Sequence, residues 1–123
     1  MEVEFDKKNQ LDRIKAYVVP GEILFAVYDL KGGGTGFVGL TDKRLIFYDQ
    51  AFLKKKKAMV SVPYTHVTSI ASEDSGGVIF ATSTLHVTTA AGSEYELVFN
   101  SSDKAHRAYT IITTQILQTE VPG

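Results

Sequence analysis

The sequence predicts a mainly β (α+β) domain, with seven antiparallel strands closed by one C-terminal helix. Three observations support this fold class. Runs of β-branched and aromatic residues, separated by short glycine-containing links, fill the middle of the chain. Apolar residues return at helical spacing only near the two ends. The length of 123 residues, with 44% hydrophobic and 22% charged residues, suits one globular domain covering residues 1–123.

Two helices are predicted, one near each end of the chain. The first spans about residues 8–18, stops before Pro20-Gly21, and has an apolar face made of Leu11, Ile14 and Val18. The second spans about residues 102–119, and its apolar stripe consists of Ala105, Tyr109, Ile112 and Ile116. Ser102 or Asp103 is expected to cap it, because both side chains accept hydrogen bonds from the first helical turn.

The strands occupy about residues 22–100 and follow one another in meander order. They are predicted at residues 23–30, 36–41, 44–49, 59–64, 67–73, 78–90 and 94–100. The last strand alternates cleanly, with Tyr95, Leu97 and Phe99 on its inner face. Pro63 lacks an amide hydrogen and therefore indicates a strand edge or end. The sixth strand is long, so we expect a bulge or a bend around residues 81–84.

Composition and charge exclude several classes of function. The chain has no cysteine, so disulfides and thiolate metal sites are excluded. Its three histidines, His66, His86 and His106, share no metal-ligand spacing and are predicted to be surface residues. A formal net charge of −1 provides no general attraction for nucleic acid. The polar N-terminus and the absence of a long apolar run lead us to expect a cytoplasmic protein.

No catalytic constellation is present in the sequence. There is no nucleophile elbow of the Gly-x-Ser-x-Gly type, and no pair of acids stands out for acid–base work. Residues 34–39 match the spacing of a dinucleotide-binding loop, but a strand follows them where that loop needs a helix. We therefore predict a non-enzyme without a cofactor or a bound metal.

One segment carries a family resemblance. The stretch from Gly36 to Tyr48, which contains Thr41-Asp42-Lys43-Arg44-Leu45, resembles the second and third strands of bacterial pleckstrin-homology (PH)-like domains, the YokE-like group in particular, and of the related GRAM domains. The likeness extends to Pro20-Gly21-Glu22 and to the closing helix. The resemblance implies a strongly bent, seven-stranded antiparallel barrel or sandwich capped by the C-terminal helix. Some relatives assemble into rings, so it also implies a homo-oligomer.

The motif turn has a structural interpretation. The side chains of Thr41 and Asp42 are expected to bond the backbone of their own turn, with Lys43 at the exposed tip. Leu45 and Phe47 then alternate into the core. Arg44 is expected to pair with a carboxylate or with a loop carbonyl, so its role is structural and not one of ligand contact.

The candidate binding residues lie in the loop between the third and fourth strands: Phe52, Leu53, Lys54, Lys55, Lys56 and Lys57. Each lysine near an anionic surface contributes ~1 kcal/mol, which gives only weak binding unless Phe52 and Leu53 also insert. The alternative is a solvated loop whose phenylalanine folds back and whose lysines protect a sheet edge.

Three functions remain open at this stage. The favoured one is a protein-interaction or self-assembly module, because the first hairpin has Lys31 followed by glycines and lacks the basic residues of inositol-phosphate sites. The alternative is a peripheral adaptor at the inner face of the membrane, binding anionic lipid through residues 52–57. The third is a carrier of an apolar small molecule, which requires a cavity between sheet and helix.

Overall fold

The computed structural model describes residues 2–31, 35–49, 58–74 and 83–120. The chain divides into two units, Met1–Val62 and Pro63–Gly123, which are described in turn.

The described residues of the first unit form one helix and five strands, the last of which ends at Pro63, the first residue of the second unit. Its helix α1 is Lys8–Lys15, and its strands are β1 (Glu4–Phe5), β2 (Leu24–Lys31), β3 (Thr35–Thr41), β4 (Arg44–Asp49) and β5 (Ala58–Pro63). Strands β2 to β5 are neighbours in sequence order, and β2–β3 and β3–β4 are antiparallel. β1 pairs in parallel with β2, opposite Ala26 and Val27.

Where the structure describes the second unit, it consists of three strands and the long helix. After a single 3-10 turn, Tyr64–His66, come β6 (Val67–Asp74), β7 (Ser83–Thr89), β8 (Glu94–Phe99) and α2 (Ser102–Glu120). β6–β7 and β7–β8 are antiparallel, and Leu85 lies opposite Leu97. α2 packs against all three strands of the unit.

The predicted fold class is confirmed: strands occur at all seven predicted places, with α1 and α2 near the two ends. In neither unit do the described strands close into a barrel, so the expected barrel is corrected to open antiparallel sheets.

Pro63 is the last residue of its strand, as predicted. The bulge or bend expected at residues 81–84 falls mostly outside the described residues, where β7 begins at Ser83. β1 was not predicted, because two residues give no periodicity.

Both faces of β4 are buried, although the sequence predicts burial of only one. Leu45 and Phe47 lie in the core as expected, but Ile46 and Tyr48 on the opposite face are also buried. The reason is α1, whose Ile14 packs with them in one apolar cluster. A helix therefore covers this face of the sheet, whereas strands in meander order without that helix would leave the face exposed to solvent.

α1 packs closely against the sheet and also makes a cation–π contact with it. An added Cβ at Gly39 of β3 would lie 2.6 Å from Cγ2 of Ile14, so helix and strand approach closely only because this residue is glycine. The guanidinium of Arg13 lies 4.6 Å from the ring centroid of Tyr48, which stacks on Phe37. These contacts fix the position of the helix and of the loop that follows it.

The cap of α2 differs from the prediction. The sequence indicates Ser102 or Asp103, but the hydroxyl of Ser101 accepts the hydrogen bond of the Lys104 amide at 3.2 Å. The helix begins at Ser102, so the capping position is the residue before it. The predicted apolar stripe is otherwise correct, since Ala105 and Ile112 are buried.

Candidate functional site

The residues of the predicted binding loop, Phe52, Leu53 and Lys54 to Lys57, lie outside the described part of the chain. Their proposed contact with lipid or with a partner therefore stays a prediction, and the geometry below concerns the motif turn and its surroundings.

Thr41 organises the motif turn between β3 and β4. Its hydroxyl oxygen accepts hydrogen bonds from the backbone amides of Lys43 and Arg44, both at 3.0 Å, and the side chain is fully buried. Asp42 behaves differently from the expectation, because its carboxylate accepts from the amide of Ile23 at 2.9 Å. The turn is thus tied to the segment that precedes β2.

A buried ion pair joins Arg44 to Glu22. Nε and Nη2 of Arg44 donate to the two carboxylate oxygens of Glu22 at 2.8 and 2.9 Å, a bidentate arrangement. The side chain of Glu22 is 1% exposed and that of Arg44 20% exposed. The hydroxyl of Thr41 donates to the same carboxylate at 2.7 Å. Each carboxylate oxygen therefore has a strong donor despite its burial.

The ion pair controls the protonation of Glu22. The hydrogen bonds from the Arg44 guanidinium lower the pKa of the Glu22 carboxyl to about 2, against the opposing effect of burial, with further help from Thr41 and the Val19 amide. The same partner raises the pKa of Arg44. Both groups therefore stay charged throughout the physiological pH range.

Arg44 also reaches two further segments. Its Nη2 donates to the carbonyl oxygen of Tyr17 at 2.7 Å, and its Nη1 donates to the hydroxyl of Ser61 at 3.0 Å. The sequence predicts that Arg44 pairs with a carboxylate or with a loop carbonyl, and in the structure Arg44 binds one of each, Glu22 and the Tyr17 carbonyl. The identity of the carboxylate was missed, and the only available signal was the family-like Pro20-Gly21-Glu22 segment.

The loop of residues 16–23, which joins α1 to β2, contains a tight turn. The amide of Glu22 donates to the carbonyl of Val19 at 3.0 Å, and Gly21 has a φ of +88°. Pro20 at the second position and a positive-φ glycine at the third are the signature of a type II turn. The carboxylate of Glu22 closes the turn from the other side, accepting from the Val19 amide at 3.1 Å.

Among the described residues of the first unit, four large apolar side chains are exposed. They are Phe5 (42%), Tyr17 (47%), Val19 (55%) and Ile23 (44%), and three of them belong to the 16–23 loop. We call these four residues the apolar surface. Single exposed apolar residues are ordinary, but several in one short segment are typical of an interaction site.

Two surface clefts border the apolar surface. One, of about 500 Å³, is lined by Val3, Lys15, Val18, Glu22, Ile23 and Leu24. The other, of about 410 Å³, is lined by Glu2, Val3, Phe5, Leu11 and Lys15. Because they share Val3 and Lys15, the clefts adjoin, and they place Phe5 and Ile23 in one region. Neither is lined by α2, so neither is the cavity that a small-ligand carrier requires.

A second polar cluster lies on the outer face of the second unit. Nε2 of His86 is 3.0 Å from Oε1 of Glu73, and Nδ1 is 3.5 Å from Oε1 of Glu94. Glu96 pairs with His86 across the β7–β8 ladder. The hydrogen bond with Glu73 raises the pKa of His86, and the charges of Glu73, Glu96 and Glu94 act in the same direction.

The raised pKa of His86 predicts a pH-dependent stability. A group that is more basic in the folded state stabilises it fully below the unfolded pKa of roughly 6.5, and the contribution disappears as pH rises through the folded value. We therefore expect a lower urea midpoint at pH 8.5 than at pH 6. In His86→Gln the difference between the two midpoints should shrink. An unchanged difference would show that another group causes it.

The other two histidines are surface residues. His66 and His106 are exposed, as the sequence predicts. Within residues 2–31, 35–49, 58–74 and 83–120, no three histidine, aspartate or glutamate side chains converge on a metal position. The helices of those same ranges do not combine the length and the apolar composition of a membrane span.

A protein-family model and a curated relative each match most of this chain. The model of the bacterial PH domain matches residues 21–114. The uncharacterized protein YozO of Bacillus subtilis (strain 168) is 27% identical over 104 residues, which is 85% of this chain and 87% of YozO.

Solved structures support the same fold. A PH domain from Shewanella amazonensis SB2B matches with a TM-score of 0.64 and 20% identity, covering 91% of this chain and 99% of that one. A DUF1696 family protein with a PH domain from Shewanella loihica PV-4 gives the same TM-score and identity, covering 93% and 96%. Identities this low show the fold alone. The family model spans more than half of the chain, and the chain therefore belongs to the bacterial PH domain family.

Proposed function

We propose that the chain is a non-catalytic module that binds protein through the apolar surface, and that its first partner is a second copy of itself. The observation that carries this proposal is the exposure of Phe5, Tyr17, Val19 and Ile23 beside two adjoining clefts. The PH-like fold is a scaffold of binding modules, and it leaves the choice of ligand to the site.

The size and composition of the clefts favour a protein ligand. Each is lined mainly by aliphatic or aromatic side chains, and each is open enough to receive side chains from a facing surface. Large apolar residues at the centre of a contact supply most of its free energy. The carboxylate of Glu22, which borders the first cleft, is already neutralised by Arg44 and would not repel an apolar partner.

The charges beside the second cleft favour a second copy as the partner. Glu2 and Lys15 line the same cleft as Phe5. In a two-fold contact, a patch that carries one carboxylate and one ammonium is complementary to itself, because each group faces the other's equivalent. A strictly acidic or basic patch would repel its own copy.

Sedimentation analysis across a range of protein concentrations tests this proposal. We expect reversible association, weakened about tenfold or more in Ile23→Ser, since burial of an isoleucine contributes about 1.5–3 kcal/mol. Leu117→Ser is the matched control, because Leu117 is an exposed apolar residue on α2 outside the apolar surface. A chain that stays monomeric at every concentration would contradict self-association.

The membrane adaptor is the competing function, with a peripheral place at the inner face of the membrane. It rests on the sequence of residues 52–57 alone, where two apolar residues precede four lysines. Flotation with anionic and neutral vesicles separates the two functions. Recovery with anionic vesicles that is lost when Lys54 to Lys57 are replaced by glutamine would favour the adaptor and count against the apolar surface as the binding site.

A further inference from the structure

The three exposed apolar residues of the 16–23 loop share an unusual feature: the backbone of each is bonded to the motif turn or to its buried partner. The carbonyl of Tyr17 accepts from Nη2 of Arg44 at 2.7 Å. The amide of Val19 donates to Glu22 at 3.1 Å. Ile23 is bonded twice to Asp42, through its amide to the carboxylate and through its carbonyl to the Asp42 amide, both at 2.9 Å.

These bonds are strong because most of them involve a charged group. A hydrogen bond to a charged partner contributes more than one between neutral groups. Glu22 is itself held in place, since Arg44 and Thr41 saturate its carboxylate while its side chain is buried. The Val19 amide is therefore bonded to an anchor that cannot rotate away without breaking the ion pair.

A loop with several apolar side chains would ordinarily adopt a conformation that exposes less of them to water. Without anchors it would fold its side chains back against the protein and so reduce the apolar area in contact with water. Here the backbone is fixed at Tyr17, Val19 and Ile23, so the side chains stay exposed. The type II turn at Pro20-Gly21 restricts the segment between these anchors still further.

We propose that the Thr41–Arg44 turn and Glu22 together form a positioning device, which holds the 16–23 loop in one conformation and presents Tyr17, Val19 and Ile23 to a protein partner. This inference rests on the proposed function for its biological meaning. It assigns Arg44 the role of a positioning residue that acts on the partner only through the loop. The affinity for the partner is higher because the loop is already ordered before binding, so association does not carry the entropic cost of ordering it.

Amide hydrogen exchange measured by NMR tests the device directly. Arg44→Lys keeps the charge but loses the fork that spans Glu22 and the Tyr17 carbonyl. We expect the Val19 amide to exchange about tenfold faster or more, in line with the loss of a hydrogen bond to a charged group. Amides in the middle of β2 and β3 should change much less, since a general loss of stability would accelerate all of them alike.

Two further variants make the test specific. Asp42→Ala removes the acceptor for Ile23 only, so the Ile23 amide should exchange faster while the Val19 amide keeps its protection. This variant leaves the buried ion pair intact and keeps the test valid if Arg44→Lys folds poorly. Lys43→Gln is the matched control. Its side chain is 71% exposed and its Nζ lies 4.0 Å from the Asp42 carboxylate oxygen that does not bind Ile23, so this variant should change neither amide.

The outcomes distinguish this inference from the proposed function. Unchanged exchange of Val19 and Ile23 in both variants would overturn the positioning device, whatever the chain binds. Local loosening together with weaker self-association in sedimentation would support both proposals. Local loosening with a wild-type chain that never associates would support the device and overturn self-association as its purpose.

Discussion

Replacing Arg44 by alanine should lower the free energy of unfolding by about 3 kcal/mol at pH 7, the cost expected when a buried carboxylate loses its partner. The substitution leaves Glu22 charged with its side chain 1% exposed. It also removes the donors to Tyr17 and Ser61. Urea denaturation monitored by circular dichroism measures the change.

A double substitution provides the control. Glu22→Gln in the Arg44→Ala background should recover part of the lost stability, because it removes the buried negative charge that Arg44→Ala leaves without a partner. The two effects are then strongly non-additive. Equal and additive losses would mean that the ion pair contributes little and that the packing of the arginine stem is what matters.

The acid limb of the stability curve checks the same pair independently. The pKa of Glu22 is lowered to about 2 in the folded protein. A lowered carboxyl pKa stabilises the fold above the unfolded value of roughly 4.3 and loses that contribution as pH falls toward the folded value. Wild-type protein should therefore lose stability between these two values, and Arg44→Ala should lose much less over the same interval.

The second large effect is expected at Gly39, where alanine should lower the free energy of unfolding by about 1–3 kcal/mol. The new methyl group would lie 2.6 Å from Cγ2 of Ile14, and both residues are buried between α1 and β3. Either the helix must move outward or the isoleucine must leave its preferred rotamer. Chemical denaturation of the variant measures the cost.

A double-mutant cycle shows whether the clash is the cause. Ile14→Ala removes the three atoms that lie nearest to the new methyl group, Cγ2, Cδ1 and Cγ1 of Ile14. In that background Gly39→Ala should be nearly neutral, or slightly stabilising, because alanine restricts the unfolded chain more than glycine does. A full cost that persists without Ile14 would locate the problem in the backbone of β3.

Most of the fold could be predicted because its signals are local. Alternation along β8, the glycine link before it and the helical stripe of α2 each lie within about 20 residues. Tertiary burial is not local in this sense. Ile46 and Tyr48 resemble solvent-facing positions of an alternating strand. They are buried because α1 packs on them, and its Ile14 lies 32 residues before Ile46 in the chain.

The site was harder to predict than the fold for the same reason. The sequence indicates that Arg44 has a polar partner, but Glu22 lies 22 residues earlier and becomes its partner only through the pairing of β2 with β3. The exposure of Tyr17, Val19 and Ile23 has no sequence signal at all, since apolar residues ahead of a strand are ordinarily expected to be buried.

The exposed position of Tyr17 has a practical optical consequence. The chain contains no tryptophan and six tyrosines, so a single tryptophan would provide the only long-wavelength emission. Tyr17 is half exposed, and its backbone is held through the carbonyl, which a change of aromatic ring leaves in place. A Tyr17→Trp chain therefore carries a fluorophore in the 16–23 loop. The wavelength of its emission maximum shows whether the loop is exposed to water or buried in a contact.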